Sequence, residues 1–325
     1  MHVLHSKNAN YIKVIFIFIV LILISSILFL TLGIHKGNLS YALSQRVPKL
    51  IAIIFTGSLI AFSTILFQTT TDNRLLTPNV MGLDSFYVLI QTTIVFLFGS
   101  THLFIVSKKL NFLICVALMV FISTFLYNIL FKKEKSNVIL IVLVGIILGT
   151  LFSSLSKFMQ IVIDPNEYLT LQNKLFASFS NINVDILIFA LIMILIIGMF
   201  IFKDMKYLDV MSLGRDHAIN LGVDYDRLVK KFFIVIAILT SIATALVGPI
   251  TFLGLLVVNV TRQVIKTYKH FYLIIFCVLI SVFTLIFGQL LLERILKIQT
   301  PVSVVINLIG GVYFMYLLLK ESKTC

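Results

Sequence analysis

Residues 11–33 read Tyr11-Ile-Lys-Val-Ile-Phe-Ile-Phe-Ile-Val-Leu-Ile-Leu-Ile-Ser-Ser-Ile-Leu-Phe-Leu-Thr-Leu-Gly33, an apolar run that carries one charge, Lys13. A helix rises about 1.5 Å per residue and the hydrocarbon layer is about 30 Å thick, so about 20 such residues cross it once. Outward from this run, similar ones separated by charged or Pro/Gly-marked breaks occupy 48–67, 78–98, 110–131, 137–157, 183–202, 229–247, 252–265, 271–292 and 301–319. The pattern predicts an all-α, polytopic membrane protein of about ten transmembrane helices, a single domain over 1–325. The run at 252–265 is short and follows Gly248-Pro249, which predicts a broken helix of the kind that lines cavities.

Composition agrees. Of 325 residues, 60% are hydrophobic and 12% charged, against about half and about a quarter in soluble domains. Ten spans leave no room for a soluble catalytic domain. The first run follows His2, His5 and Lys7 as a secretory signal would. It is longer than a signal's apolar core and has no small-residue cleavage end, so it is read as a retained first span. Pro48, Pro78 and Pro301 are each expected to open a span, where a missing amide hydrogen costs nothing, and Pro165 and Pro249 to lie in connections.

The 26 Lys+Arg exceed the 13 Asp+Glu, but they sit between apolar runs, where they set membrane orientation rather than bind nucleic acid. Alternate connections, counted from the N-terminal side, hold 17 of the 26 and the opposite side 9, which predicts that both termini are cytoplasmic. Gly145 and Gly149 form a G-x-x-x-G pair suited to close helix contact.

Several chemistries are missing from the sequence. Asp84, Asp185 and Glu293 fall near span ends, and the central polar groups are the neutral Gln68, Gln91, Asn128, Asn259 and Asn307. An ion-coupled secondary transporter, the competing class, needs an ionisable group near mid-membrane. The neutral amides are expected mainly to bond between helices, or else to line a path, as Gln68 and Asn259 could. No phosphate loop, H-E-x-x-H or paired Cys/His spacing occurs, and the histidines fall in termini or connections. No catalytic residue, metal ligand or bound cofactor is expected, and energy for transport has to come from another subunit.

The connection 203–231 is the one expected cytoplasmic segment long enough for its own structure. Ser212 is a candidate cap, Leu213, Ala218 and Leu221 recur at helical spacing, and Gly222 is a stop, so two short helices forming a knob are expected.

Leu213-Gly214, Ala218 and Leu221-Gly222-Val223 resemble the coupling motif L-G-x-x-x-A-x-x-L-G of the FecCD/BtuC-like permeases of ABC importers for iron chelates and vitamin B12. Arg46-Val47-Pro48-Lys49, Gly57 and Gln68 look like the family's R-x-P-R, G and Q positions. Asp72-Asn73-Arg74-Leu75-Leu76-Thr77-Pro78 and Gly82 stand in place of its R-N-P-L-A-x-P segment. Gly248 to Leu255 is similar to G-x-I-x-F-x-G-L, followed by Arg262, although Val258-Asn259 replaces the usual Pro-His. Arg294 precedes Pro301 by seven positions where the family's arginine precedes its proline by nine. The wording of the 72–78 segment looks most like permeases for catecholate siderophores in Gram-positive bacteria.

The resemblance implies a type II ABC importer permease in a bacterial cytoplasmic membrane that carries a ferric siderophore, with vitamin B12 or heme as alternatives. It implies a second permease, identical or a sister, two cytoplasmic ATPases holding the ATP and Mg, and an extracytoplasmic siderophore-binding protein. Leu213, Gly214, Ala218, Leu221, Gly222 and Val223 would couple to the ATPase. Arg46, Lys49 and Arg294 would dock the binding protein. Ser136 and Asn137 are assigned to a cytoplasmic gate from position alone.

Overall fold

The computed structural model describes residues 2–33, 39–99, 102–103, 107–133, 138–179, 182–297 and 300–322. Among them every regular element is helical: α1 His2–Thr31, α2 Leu39–Thr71, α3 Leu83–Phe98, α4 Lys108–Lys133, α5 Val138–Val162, α6 Pro165–Leu175 and α7 Val184–Ile201. After these come α8 Leu208–Met211, α9 Arg215–Asn220, α10 Tyr225–Val247, α11 Leu253–Val264, α12 His270–Leu290 and α13 Val302–Ser322. Seven helices are long and apolar enough to cross a membrane, and α3, α11 and the Val302–Leu317 part of α13 are shorter apolar ones. Apolar helices thus occur at all ten expected positions, seven of them long enough to cross, and α11, with 12 residues, is the shortest.

Four local expectations change. Pro48 stands well inside α2 rather than at its start. Pro165 opens a helix, α6, where a plain connection was expected. Asp164 caps α6 by accepting from the Asn166 amide at 2.9 Å, and Glu167 lies in its first turn, a start signal the sequence displays. His270 begins α12 and is buried. Ser212 is the C-cap of α8, and Gly214 rather than Ser212 precedes α9 as its N-cap.

The centre of the bundle is the pair α2 and α10, whose span windows are 67% and 72% buried, against 11% for α1 and 22% for α4, α5 and α7. Phe67 of α2 meets Phe233 of α10 edge-on at 5.9 Å. Around this pair the contacts repeat. α2 packs along α12 as α10 packs along α4, and α3 packs on α5 as α11 packs on α13. α2 and α12 run antiparallel, since Thr69 meets His270 and the Gly57 carbonyl accepts from Ser281 at 2.8 Å. Each central helix is followed by a break in the α-helix and a short helix, through 72–82, which holds a 3-10 turn at Pro78–Met81, before α3 and through 248–252 before α11. Two halves related in this way are the arrangement of inverted-repeat transporters, whose breaks meet near mid-membrane.

Each break lies against a glycine of the next half-bundle helix. A Cβ on Gly149 of α5 would come within 2.8 Å of the Gly82 Cα, and one on Gly310 of α13 within 2.5 Å of the Phe252 Cβ. The Gly145/Gly149 pair therefore makes the close contact its spacing anticipates, against Met81 and Gly82. Gly149→Ala is expected to cost about 1–3 kcal/mol by overpacking, read as a lower melting temperature in detergent. Gly198→Ala, whose Cβ would meet nothing within 4 Å, should leave melting unchanged.

Candidate functional site

Between α7 and α10 the chain folds into a compact knob. Phe202–Tyr207 forms a 3-10 segment, followed by α8 and α9. Gly214, at φ +95°, turns the chain from α8 into α9. Gly222, at φ +83°, ends α9: its amide donates to the Ile219 carbonyl at 2.9 Å and the Val223 amide to that of Ala218 at 3.1 Å. That is a Schellman closure, which favours glycine at the left-handed position. Ala218 and Val223 are buried beneath the turn, whereas Leu213 and Leu221 are 58% and 64% exposed.

The expected shared helical face is therefore corrected. Leu213 and Leu221 flank α9 rather than lie on it, and they stand out because the two glycine turns reverse the chain beside them. The outcome is still an apolar pair on a rigid base.

Three contacts fix that base to the spans. The His270 backbone amide and ring Nδ1 both donate to Asp209 Oδ1 of α8 at 2.7 Å, and the ring's Nε2 lies 3.0 Å from Thr69 Oγ1 at the end of α2. Lys231 of α10 pairs with Asp204, donates to the Phe200 carbonyl at 3.0 Å, and lies over the Phe200 ring. The more exposed Arg215–Asp226 pair, at 3.6 Å, adds little. Sequence reasoning missed Asp209, His270, Asp204 and Lys231, because pairs 61 and 27 positions apart leave no spacing signal.

The expected docking residues come together. Lys49 and Arg294 both reach Glu293 Oε1, at 3.5 and 3.4 Å. Arg46 is 7% exposed and donates to the carbonyls of Phe29, Leu30 and Leu32, closing the C-terminal end of α1. Lys49 and Arg294 are the more accessible of the three.

The polar groups assigned to a path are buried. Gln68 donates to the Arg74 carbonyl at 2.7 Å and accepts from Arg262 at 3.3 Å, and Asn259 donates to the Leu255 carbonyl of its own helix. Ser136 and Asn137 lie outside the described residues. Asp84, which its place in the sequence puts near a span end, is in fact buried at the start of α3. There it accepts from Thr251 at 3.0 Å and Thr244 at 3.4 Å. No group of three or more potential metal ligands occurs among the described residues. Cys115 and Cys277 are buried and unpaired.

Residues 10–320 match the FecCD transport family. The chain belongs to that family. A petrobactin import system permease protein of Bacillus subtilis, YclO, is 55% identical over 89% of this chain and 91% of its own length. A petrobactin import permease of Bacillus anthracis, FatC, is 36% identical over 85% of this chain and 78% of its own length. An inward-facing metal-chelate type ABC transporter has the same fold, with a TM-score of 0.79 at 22% identity, covering 95% of this chain and 99% of that one.

In this FecCD-family chain the Asp209–His270 contact is one tie between knob and spans. Asp209→Ala removes both bonds to His270, so amide hydrogen exchange across 208–223 is expected to rise about tenfold. Asp216→Ala, at an exposed position of α9, should leave the rates unchanged.

Proposed function

We propose that this chain is the permease subunit of an ATP-driven importer for a ferric siderophore of the petrobactin type, and that the 203–231 knob receives the stroke of a separate ATPase. The observation that carries the reading is the pairing of an exposed apolar tip, Leu213 and Leu221, with a base hydrogen-bonded to the ends of α2 and α12. A docking element has to be rigid to transmit displacement, and this one is tied to the central helix α2. Closure of two ATPases, which hold the ATP and Mg, would move the knob and with it the cytoplasmic ends of α2, α10 and α12. The 55% and 36% identical relatives carry petrobactin import in their names, which supports the cargo.

The rest of the assembly follows the same reading. A second permease, identical or a sister, faces this one across the path in the bacterial cytoplasmic membrane. The excess of lysine and arginine on one side supports a cytoplasmic position for both termini. An extracytoplasmic siderophore-binding protein meets Lys49 and Arg294, with Arg46 holding the adjoining end of α1 in place. Gln68 and Asn259 adjoin the path, and Ser136 and Asn137 contribute to its cytoplasmic gate. The chelator already encloses the iron, so no residue of this chain needs to ligate it.

Leu213→Asp/Leu221→Asp places two charges on exposed positions and leaves the buried base untouched. The double variant is expected to insert and melt as the wild type does, to lose co-purification of the ATPase, and to lower ferric petrobactin uptake by about tenfold or more. Full retention of the ATPase by a folded variant would remove the coupling assignment. Uptake that survives ATP depletion would instead return the chain to the ion-coupled class, for which Asp84 is the available carboxylate.

A further inference from the structure

One face of α5 is polar where the face beside it is not. Thr150, Ser153, Ser154 and Lys157 recur there at helical spacing, while Ile147, Leu151, Leu155 and Phe158 form the exposed apolar face next to it. Lys157 and Ser154 are exposed and Ser153 is half-buried. Hydrocarbon accepts the apolar face. It does not accept the polar one, because ionisable side chains within a span turn to the bundle interior or to a water-filled cavity.

That polar face is one wall of an open groove of about 440 Å³, and the first break supplies the other through Asn79, Gly82 and Ser85. Irregular backbone at membrane depth is tolerated where it lines such a cavity. Asn79 is engaged with the Ile250 carbonyl, and Thr150 donates to the Ile146 carbonyl of its own helix at 2.9 Å. The hydroxyls of Ser85, Ser153 and Ser154 hydrogen-bond to none of the described residues, so they are available to water or to a solute.

The groove runs outward from the break. Gly149 sits against Gly82, and Lys157 lies eight residues further along α5, about 12 Å away. Gln160 donates to Thr92 of α3 at 3.2 Å, so α5 and α3 run side by side in one direction. Tyr87 and Gln91 of α3 share a cleft with Val247, the end of α10 away from the knob. Lys157 therefore marks the mouth, at the membrane face opposite the knob, and Gly82 and Asn79 mark the floor.

The mouth carries one sign of charge. No lining residue is Asp or Glu, and among the described residues Lys157 has neither an ion pair nor a hydrogen bond. The C-terminal end of α5, five residues on, favours a cation here, but a helix end carries only a partial charge and does not neutralise it. An ammonium above a wall of free hydroxyls suits a solute with negative charge and many oxygen acceptors. We infer that this groove is the extracytoplasmic half of the cargo's path, and that Lys157 at its mouth selects an anionic, oxygen-rich chelate. The identity of the cargo rests on the importer reading; the water-filled, positively biased groove does not.

The test places single cysteines in the full chain in spheroplasts, where its partner subunits are present, and times their labelling by membrane-impermeant anionic and cationic methanethiosulfonates. Ser154→Cys is expected to react at least about tenfold faster than Leu155→Cys, because lipid keeps a thiol protonated and away from the reagent. At Ser154→Cys the ratio of anionic to cationic rates should fall about tenfold when Lys157→Gln is added. Equal labelling at 154 and 155 would overturn the groove, and an unchanged ratio would overturn the role of Lys157. Should Ser154→Cys not fold, Ser153→Cys makes the same comparisons. In uptake, Lys157→Glu is expected to raise the KM for ferric petrobactin about tenfold at an unchanged maximal rate, with the ATPase still co-purified, and Lys157→Arg to behave as the wild type. An unchanged KM in Lys157→Glu would overturn contact with the cargo. Absence of uptake by the wild type would count against the importer reading instead, and the labelling, which needs no transport, would still decide the groove.

Discussion

Where a helix stops inside hydrocarbon, its last carbonyls and the next helix's first amides have no water to turn to, and each unsatisfied group costs several kcal/mol. In this chain the α-helices break twice within the packed bundle, at 72–82 and at 248–252, and neutral amide side chains satisfy part of the backbone freed there. Gln68 donates to the Arg74 carbonyl, Asn79 reaches the carbonyls of Ile250 and Thr251, and Asn307 accepts from the Phe252 amide. Asp84 joins the two breaks by accepting from Thr251 of the second. Gln68, Asn79 and Asn307 are therefore tied up in holding the backbone of the two breaks, which allows the central helices to be interrupted there.

The same constraint organises the packing. Lipid supplies no hydrophobic drive between helices, so approach is set by small residues and by satisfied polar contacts. Gly149 and Gly310 admit the two breaks closely enough for the amides to reach them. Arg46 shows the rule at a helix end, where a buried guanidinium serves three carbonyls of α1. A residue type that suggests attraction of an acidic partner here also completes a helix terminus, and that second role is visible only once α1 and α2 are placed side by side.

The knob and the breaks are mechanically continuous. Asp209, His270 and Thr69 link α8 to the start of α12 and the end of α2, and Gln68, one residue before Thr69, holds the first break through Arg74. Displacement at the exposed leucines therefore has a short, hydrogen-bonded route to the interrupted region. No long flexible connection intervenes.

Hydropathy along the chain was enough to read the helical class, the positions of ten apolar helices, the weak one at α11 and the knob between α7 and α10, because about 20 apolar residues in a row have one stable solution in lipid. The stop at Gly222 was also legible, since a glycine takes the left-handed position that ends a helix, whereas the turn at Gly214 appears only in the structure. The partners came from packing alone: Asp209 with His270, Asp204 with Lys231, Asp84 with Thr251, and Arg46 with the end of α1. It also decided that Leu213 and Leu221 stand beside α9 and that Pro48 lies within α2. Hydropathy reports the cost of placing one residue in lipid, but the bonds that offset that cost join residues far apart in the chain, and only packing fixes which ones meet.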